Sequence, residues 1–211
     1  ASTNANGVRV GTVSGSAISF GTELAFHAAS QASYISSTFD TTNNKVVIFF
    51  AVGGANSTEA VVGTVSGTSI TLGTQVRVGN STSSNFTGVC FDSTQNKIML
   101  AYRGTVGGTQ LGRLAIGTVS GTSITVADAI TFNAGNSYYN SLTFDSNASK
   151  SALFYSSSAA SGFGNGAVIS FSADLTIGTD YFVQTDGTIS TTSSSVPAGR
   201  ALSTTSMLLE G

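Results

Sequence analysis

One cysteine, one proline, one histidine and no tryptophan stand in this 211-residue chain. A lone cysteine excludes an internal disulfide framework and any multi-cysteine metal site. With only His27 and Cys90 available, no Ser-His-Asp or Cys-His machinery can be assembled. Its ten acidic residues are scattered rather than paired, as a glycan hydrolase would need. The chain is therefore read as non-enzymatic, with no cofactor and no metal. Charge is scarce as well. Charged residues make up 9% of the chain, against about 25% in an ordinary soluble domain. The net charge of −2 comes with no basic block, so nucleic acid has no electrostatic handle. No apolar run approaches the roughly 18 residues of a spanning helix, and no cationic amphipathic stretch could lie on a bilayer. Membrane insertion is not expected. Residues Ala1 to Gly7 are polar, lack the apolar stretch of a signal peptide and carry no initiator Met. The chain is accordingly expected to be processed or a piece of something longer.

Ser, Thr, Asn and 25 Gly take the place of the missing charge, on a background that is 40% hydrophobic. Such a surface is common on secreted and virion-exposed β proteins. The pentapeptide Gly-Thr-Val-Ser-Gly occurs three times, starting at Gly11, Gly63 and Gly117. A second marker keeps the same beat: Phe39-Asp40, Phe91-Asp92 and Phe144-Asp145, followed by Lys45, Lys97 and Lys150. Self-similarity at a period of about 50 residues marks a propeller or a solenoid array.

Each unit reads as four short strands. In the second copy these are Ala60 to Val65, Ser69 to Val76, Phe86 to Phe91 and Lys97 to Tyr102. The second alternates polar and apolar, as a half-buried strand does. The fourth, like Val46 to Phe50, has no polar face and needs cover on both sides. The expected fold is all-β: four-stranded antiparallel meanders, propeller-like, with three regular units and a divergent fourth. A β-solenoid or an elongated fibre of sandwiched sheets is the alternative. The repeat region is placed at 1–179, with units near 8–52, 60–104 and 113–156 and a partial one at 166–179. A divergent C-terminal β module follows at 180–211. There Asp186-Gly187 signals a hairpin, and Pro197 to Leu202 and Ser206 to Leu209 supply two last strands. Atypical end copies cap repeat arrays. This module is expected to cover an edge, either near Val8 to Val13 or against a neighbouring subunit.

The unit Val-Gly-Thr-Val-Ser-Gly-Thr-Ser-Ile-Thr-x-Gly-Thr, then Phe-Asp-Ser-Thr-x-Asn-Lys, resembles repeats in structural and tail-fibre-like proteins of bacteriophages, over roughly Val8 to Thr179. The ending, Asp186 to Leu209, is similar to the closing module of phage fibre and virion-decoration proteins. The resemblance implies a virion-surface or extracellular location, with other virion subunits as partners and a homo-oligomer. It carries no functional residue. The function expected is a virion structural and adhesion module, part of a tail fibre or surface appendage, that presents loops to a host cell-surface glycan. A capsid-decorating protein and a secreted bacterial carbohydrate-binding or adhesin repeat are the alternatives.

Binding determinants should differ between copies. Loop positions Arg77 with Asn80, Arg103 with Gln110, and Asn136 with Tyr138 are therefore the candidate ligand contacts. Tyr34, Phe86 and Tyr139 recur in every copy and are read as core. Asp40, Asp92 and Asp145 each offer a single carboxylate, which suits turn capping better than calcium. His27 is read as a loop histidine, Cys90 as a small half-buried filler in the place of Thr38 and Thr143, and the three lysines as guards of the strand ends.

Overall fold

The computed structural model describes residues 6–27, 30–53, 57–158 and 163–169, together with the backbone of four strands between 180 and 209. Among the described residues the fold is all-β and antiparallel throughout, with no α-helix. The chain opens with β1 (Asn6–Val8), β2 (Gly11–Ser14), β3 (Ala17–Phe20) and β4 (Leu24–His27), where β1 pairs with β4 and β2 with β3. A first large sheet takes β5 (Ala32–Asp40), β6 (Lys45–Val52), β7 (Ser57–Ser66), β8 (Ser69–Leu72) and β9 (Val76–Val78). A second repeats it with β10 (Ser84–Asp92), β11 (Lys97–Val106), β12 (Thr109–Ser120), β13 (Ser123–Val126) and β14 (Ile130–Asn133). A third holds β15 (Ser137–Asp145), β16 (Lys150–Ser157) and β17 (Gly164–Ile169). All of these lie in one compact unit, Ala1–Ile169. The second unit, Ser170–Gly211, contains a sheet of its own in the order β19 (Ile189–Ser190), β18 (Asp180–Val183), β20 (Pro197–Ala201), β21 (Met207–Leu209). The Asp186-Gly187 turn and the strand expected at Leu175 to Thr179 lie outside the described residues.

Sequence repeat and sheet share a period but not a phase. The meander expected within one sequence unit is cut between its second and third strands. Each large sheet joins the Phe-Asp and Lys strands of one unit to the Gly-Thr-Val-Ser-Gly hairpin of the next. The large sheets also have five strands rather than four, because the segment expected as one strand from Ser69 to Val76 is two. One half of β7 pairs with β8 and the other with β9. The break falls at Gly73, where an added Cβ would run into the carbonyl oxygen of Thr122 in the next copy's turn. Gly21 meets Thr68 in the same way one copy earlier. Close backbone contact between successive copies thus requires glycine there.

The repeated motifs now have physical readings. Asp40 Oδ1 accepts the N–H groups of Thr42 and Asn43 at 3.0 and 2.9 Å, and Asp92 and Asp145 repeat the pattern. The residue before each lysine, Asn44, Asn96 or Ser149, takes a left-handed φ that closes the turn. Lys45 Nζ donates to Thr64 Oγ1, and Lys97 Nζ to Thr118 Oγ1, both at 2.9 Å. The threonine of Gly-Thr-Val-Ser-Gly is thus the partner of the lysine across the sheet. The lysine does more than guard a strand end.

The cover demanded by the two-faced strands is there. On β6, Val47 and Phe49 enter one buried cluster with Phe91, Leu100 and Tyr102 of the second sheet. Ile48, Phe50 and Val52 point the other way, to Phe26 of the N-terminal strands. One strand therefore packs two sheet interfaces at once. Burial of each such side chain supplies about 1.5–3 kcal/mol.

Candidate functional site

The strands β5, β10 and β15 lie side by side through the array, since β10 packs on both of the others. Each carries a bulge at the same place: between Ser33 and Ser36, between Asn85 and Gly88, and between Tyr138 and Ser141. At each bulge an aromatic residue adopts a left-handed backbone: Tyr34 (φ 49), Phe86 (φ 54) and Tyr139 (φ 54). Bulky residues rarely accept that conformation, and such strain persists only where the surroundings impose it. The bulge aims the three rings into a row, with centroids 4.7 Å apart from Tyr34 to Phe86 and 5.2 Å from Phe86 to Tyr139.

This overturns the core reading of these residues. The middle ring, Phe86, is half-buried between the others, while Tyr34 is 44% and Tyr139 76% exposed. Recurrence in every copy signalled a shared backbone device rather than shared burial. The inner position is Phe and the two outer ones are Tyr, so hydroxyls occur only where water can reach them.

Two sequence candidates join this row. The Arg103 guanidinium sits 4.8 Å from the Phe86 ring centre and 5.0 Å from that of Tyr138. In the amide orientation that satisfies both ends, Asn85 accepts from Arg103 Nη2 at 2.8 Å and donates to the Ser84 carbonyl at 2.9 Å. Neighbouring rungs are also tied by hydrogen bonds. Thr87 Oγ1 donates to the Tyr34 carbonyl, and Asn140 Nδ2 donates to the Phe86 carbonyl at 2.7 Å. Sequence reasoning missed Asn85, Thr87 and Asn140. A signal did exist: the residue after each ring varies between copies as Ile35, Thr87 and Asn140.

Arg77 and Asn80 lie elsewhere, in a polar cleft of about 430 Å³ with Arg113 and Asp128. There Arg77 Nη2 donates to the Ser81 carbonyl at 2.8 Å, and Arg113 donates to Thr131 Oγ1 at 2.6 Å and to the Ala129 carbonyl. Both arginines brace the loops that wall the cleft. Gln110 pairs with Thr105 beside the β11–β12 hairpin end, in neither grouping. The Asn136 carbonyl accepts from Asn133 Nδ2 and from the Ser158 N–H, both at 3.2 Å.

His27 is no loop residue. It ends β4 and pairs with Asn6, the place that buried Val78 holds opposite Thr58 one copy later. Its ring is buried, with Nδ1 2.9 Å from Gln75 Oε1 and Nε2 3.1 Å from Ser30 Oγ. Gln75 Nε2 donates to the Phe26 carbonyl at 2.5 Å, so a glutamine between β8 and β9 spans two copies. Cys90 is buried, and burial, helped by the charge of Asp92 and opposed by a bond to Ser151, pushes its thiol up. Among the described residues no three His, Cys, Asp or Glu converge as a metal site would require. No family model matches the chain, and neither the curated proteins nor the solved structures compared with it give a match.

Proposed function

We propose that the chain is a non-enzymatic virion module, part of a phage tail fibre or surface appendage. In this reading a propeller-like stack of β-sheets holds a recognition surface toward a host-surface glycan. The observation that carries it is the aromatic row Tyr34, Phe86 and Tyr139, held in strained backbone and flanked by Tyr138 and Arg103. Strain repeated at one position in three stacked strands is a construction the fold maintains. Aromatic rings beside amide and guanidinium groups suit sugars, which offer apolar ring faces and hydroxyl edges together. A panel of immobilised bacterial surface polysaccharides and neutral and acidic oligosaccharides, probed with the labelled chain, tests the reading. Saturable binding to at least one glycan is expected, and binding to none overturns it.

A second reading, packing against other virion subunits, draws on a different observation. Ile18 and Phe20 on the β2–β3 hairpin are exposed, whereas Ile70 and Ile124, which match Ile18 in later copies, are buried. Their hairpin partners β7 and β12 pair on the other edge with β6 and β11, whereas among the described residues β2, the counterpart of β7 and β12, pairs only with β3. An open apolar edge recruits another chain. Light scattering decides this: an oligomer that falls apart in Ile18→Asp supports packing, and a monomeric parent chain refutes it.

A further inference from the structure

The first Gly-Thr-Val-Ser-Gly hairpin is built like the later two, but among the described residues no strand lies on its outer edge. In the later copies the lysine strand fills that place: Val46 pairs with Gly63 on β7, and Ile98 with Gly117 on β12. The first glycine of the motif leaves room there for the hairpin isoleucine, since an added Cβ would run into Ile70 at Gly63 and into Ile124 at Gly117. Ile124 thereby joins Ile98 in one buried cluster. Ile18 lies over Gly11 in the same way, its Cδ1 3.0 Å from where a Cβ would stand, yet it is 56% exposed. The threonine repeats the contrast. Thr64 and Thr118 each accept a lysine ammonium at 2.9 Å, whereas among the described residues no side chain donates to Thr12. The backbone repeats it again. Val61 and Val62 pair with Ile48 and Val47, but Arg9 and Val10, at the same places, fall between β1 and β2 without a ladder partner.

We propose that the open edge of β1 and β2 accepts an antiparallel strand donated by another polypeptide, one headed by lysine and continued by apolar residues, as β6 and β11 are. Strand addition of this kind draws affinity from main-chain hydrogen bonds and specificity from side-chain pockets. The incoming lysine meets Thr12 Oγ1, and the residue after it covers Ile18 above Gly11. A second copy of this chain has no such strand to give, because β6, β11 and β16 each have a partner on both edges. Nor does a pairing of β2 with β2 bring a lysine to Thr12, since β2 carries none. The inference rests on the packing reading above for its surface alone. It names a different chain as the partner, where light scattering asks about copies of this one.

The probe is a labelled peptide of the sequence Gln95–Arg103, which the register of β11 on β12 would lay along Asn6 to Thr12 of the full chain. Fluorescence anisotropy reads its binding, and amide hydrogen exchange reads the place. Saturable binding is expected, with new protection confined to the amides of Gly7 to Val13. Thr12→Val in the chain and Lys97→Met in the peptide should each weaken binding about threefold to tenfold. Together they should weaken it no further, because they remove one and the same bond. Ile18→Ala should weaken it about tenfold. Thr12 and Ile18 are both exposed, so the two chain variants should melt with the parent. Absence of binding, protection at another edge, or losses at Thr12 and Lys97 that simply add would each overturn the proposal. An oligomeric parent chain whose β2 amides are already protected without peptide also overturns it, while the packing reading stands. A monomeric parent that binds the peptide at this edge removes self-packing and supports the donated strand.

Discussion

The phenylalanine of the Phe-Asp marker offers a controlled comparison, because one sequence position meets two environments. Phe91, on the strand between β5 and β15, is 7% exposed, whereas Phe39 at the edge of the array is 48% exposed. An enclosed aromatic side chain buries about 200 Å². At about 25 cal/mol per Å² the difference in exposure amounts to about 2 kcal/mol. Phe91→Ala also leaves a cavity that its neighbours cannot fully close, and should cost about 3–5 kcal/mol. Phe39→Ala leaves a space that water can fill, and should cost about 2 kcal/mol. Urea unfolding of the two variants, with slopes equal to the parent's, should show the Phe91→Ala midpoint displaced about twice as far. Equal displacements would refute the reasoning: the face of β5 would then be covered in solution, and the contrast between inner and outer copies would vanish. A small effect at Phe91 would mean that β10 does not lie between its two neighbours.

Two further outcomes follow from packing and burial. Gly73→Ala should destabilise by roughly 1–3 kcal/mol, because its Cβ runs into the Thr122 carbonyl; Gly164→Ala, into open space, should change stability by less than about 0.5 kcal/mol in the same urea melts. The Cys90 thiol should resist iodoacetamide in the folded chain and react once urea unfolds it, since burial raises its pKa and thiolate is the reactive form. The linked pH effect has a definite sign: the unfolded chain releases this proton first, so this group's contribution holds at neutral pH and is lost as pH climbs past the ordinary thiol range. Alkylation at equal rates in both states would refute the buried placement.

The primary structure by itself determined the secondary-structure class, the period and the turns. Hydrophobic alternation, Asp and Asn at corners and Ser-Gly hairpins act over a few residues, so each is legible locally. The two-faced strands at Val46 and Ile98 also showed that sheets must lie on both sides. Tertiary structure alone decided the phase, because any cut through a repeat is equivalent on paper while hydrogen bonds choose one. It likewise decided that Lys45 and Lys97 reach the threonines of Gly-Thr-Val-Ser-Gly, and that His27 fills a position held by valine in the next copy. Of the candidate site, Arg103 and Tyr138 were visible as copy-specific residues, but their meeting across Phe86 was not. Tyr34, Phe86 and Tyr139 look alike in the sequence and were read as core. Whether a ring is covered depends on having a neighbour on each side, and in a stack of three only the middle one does.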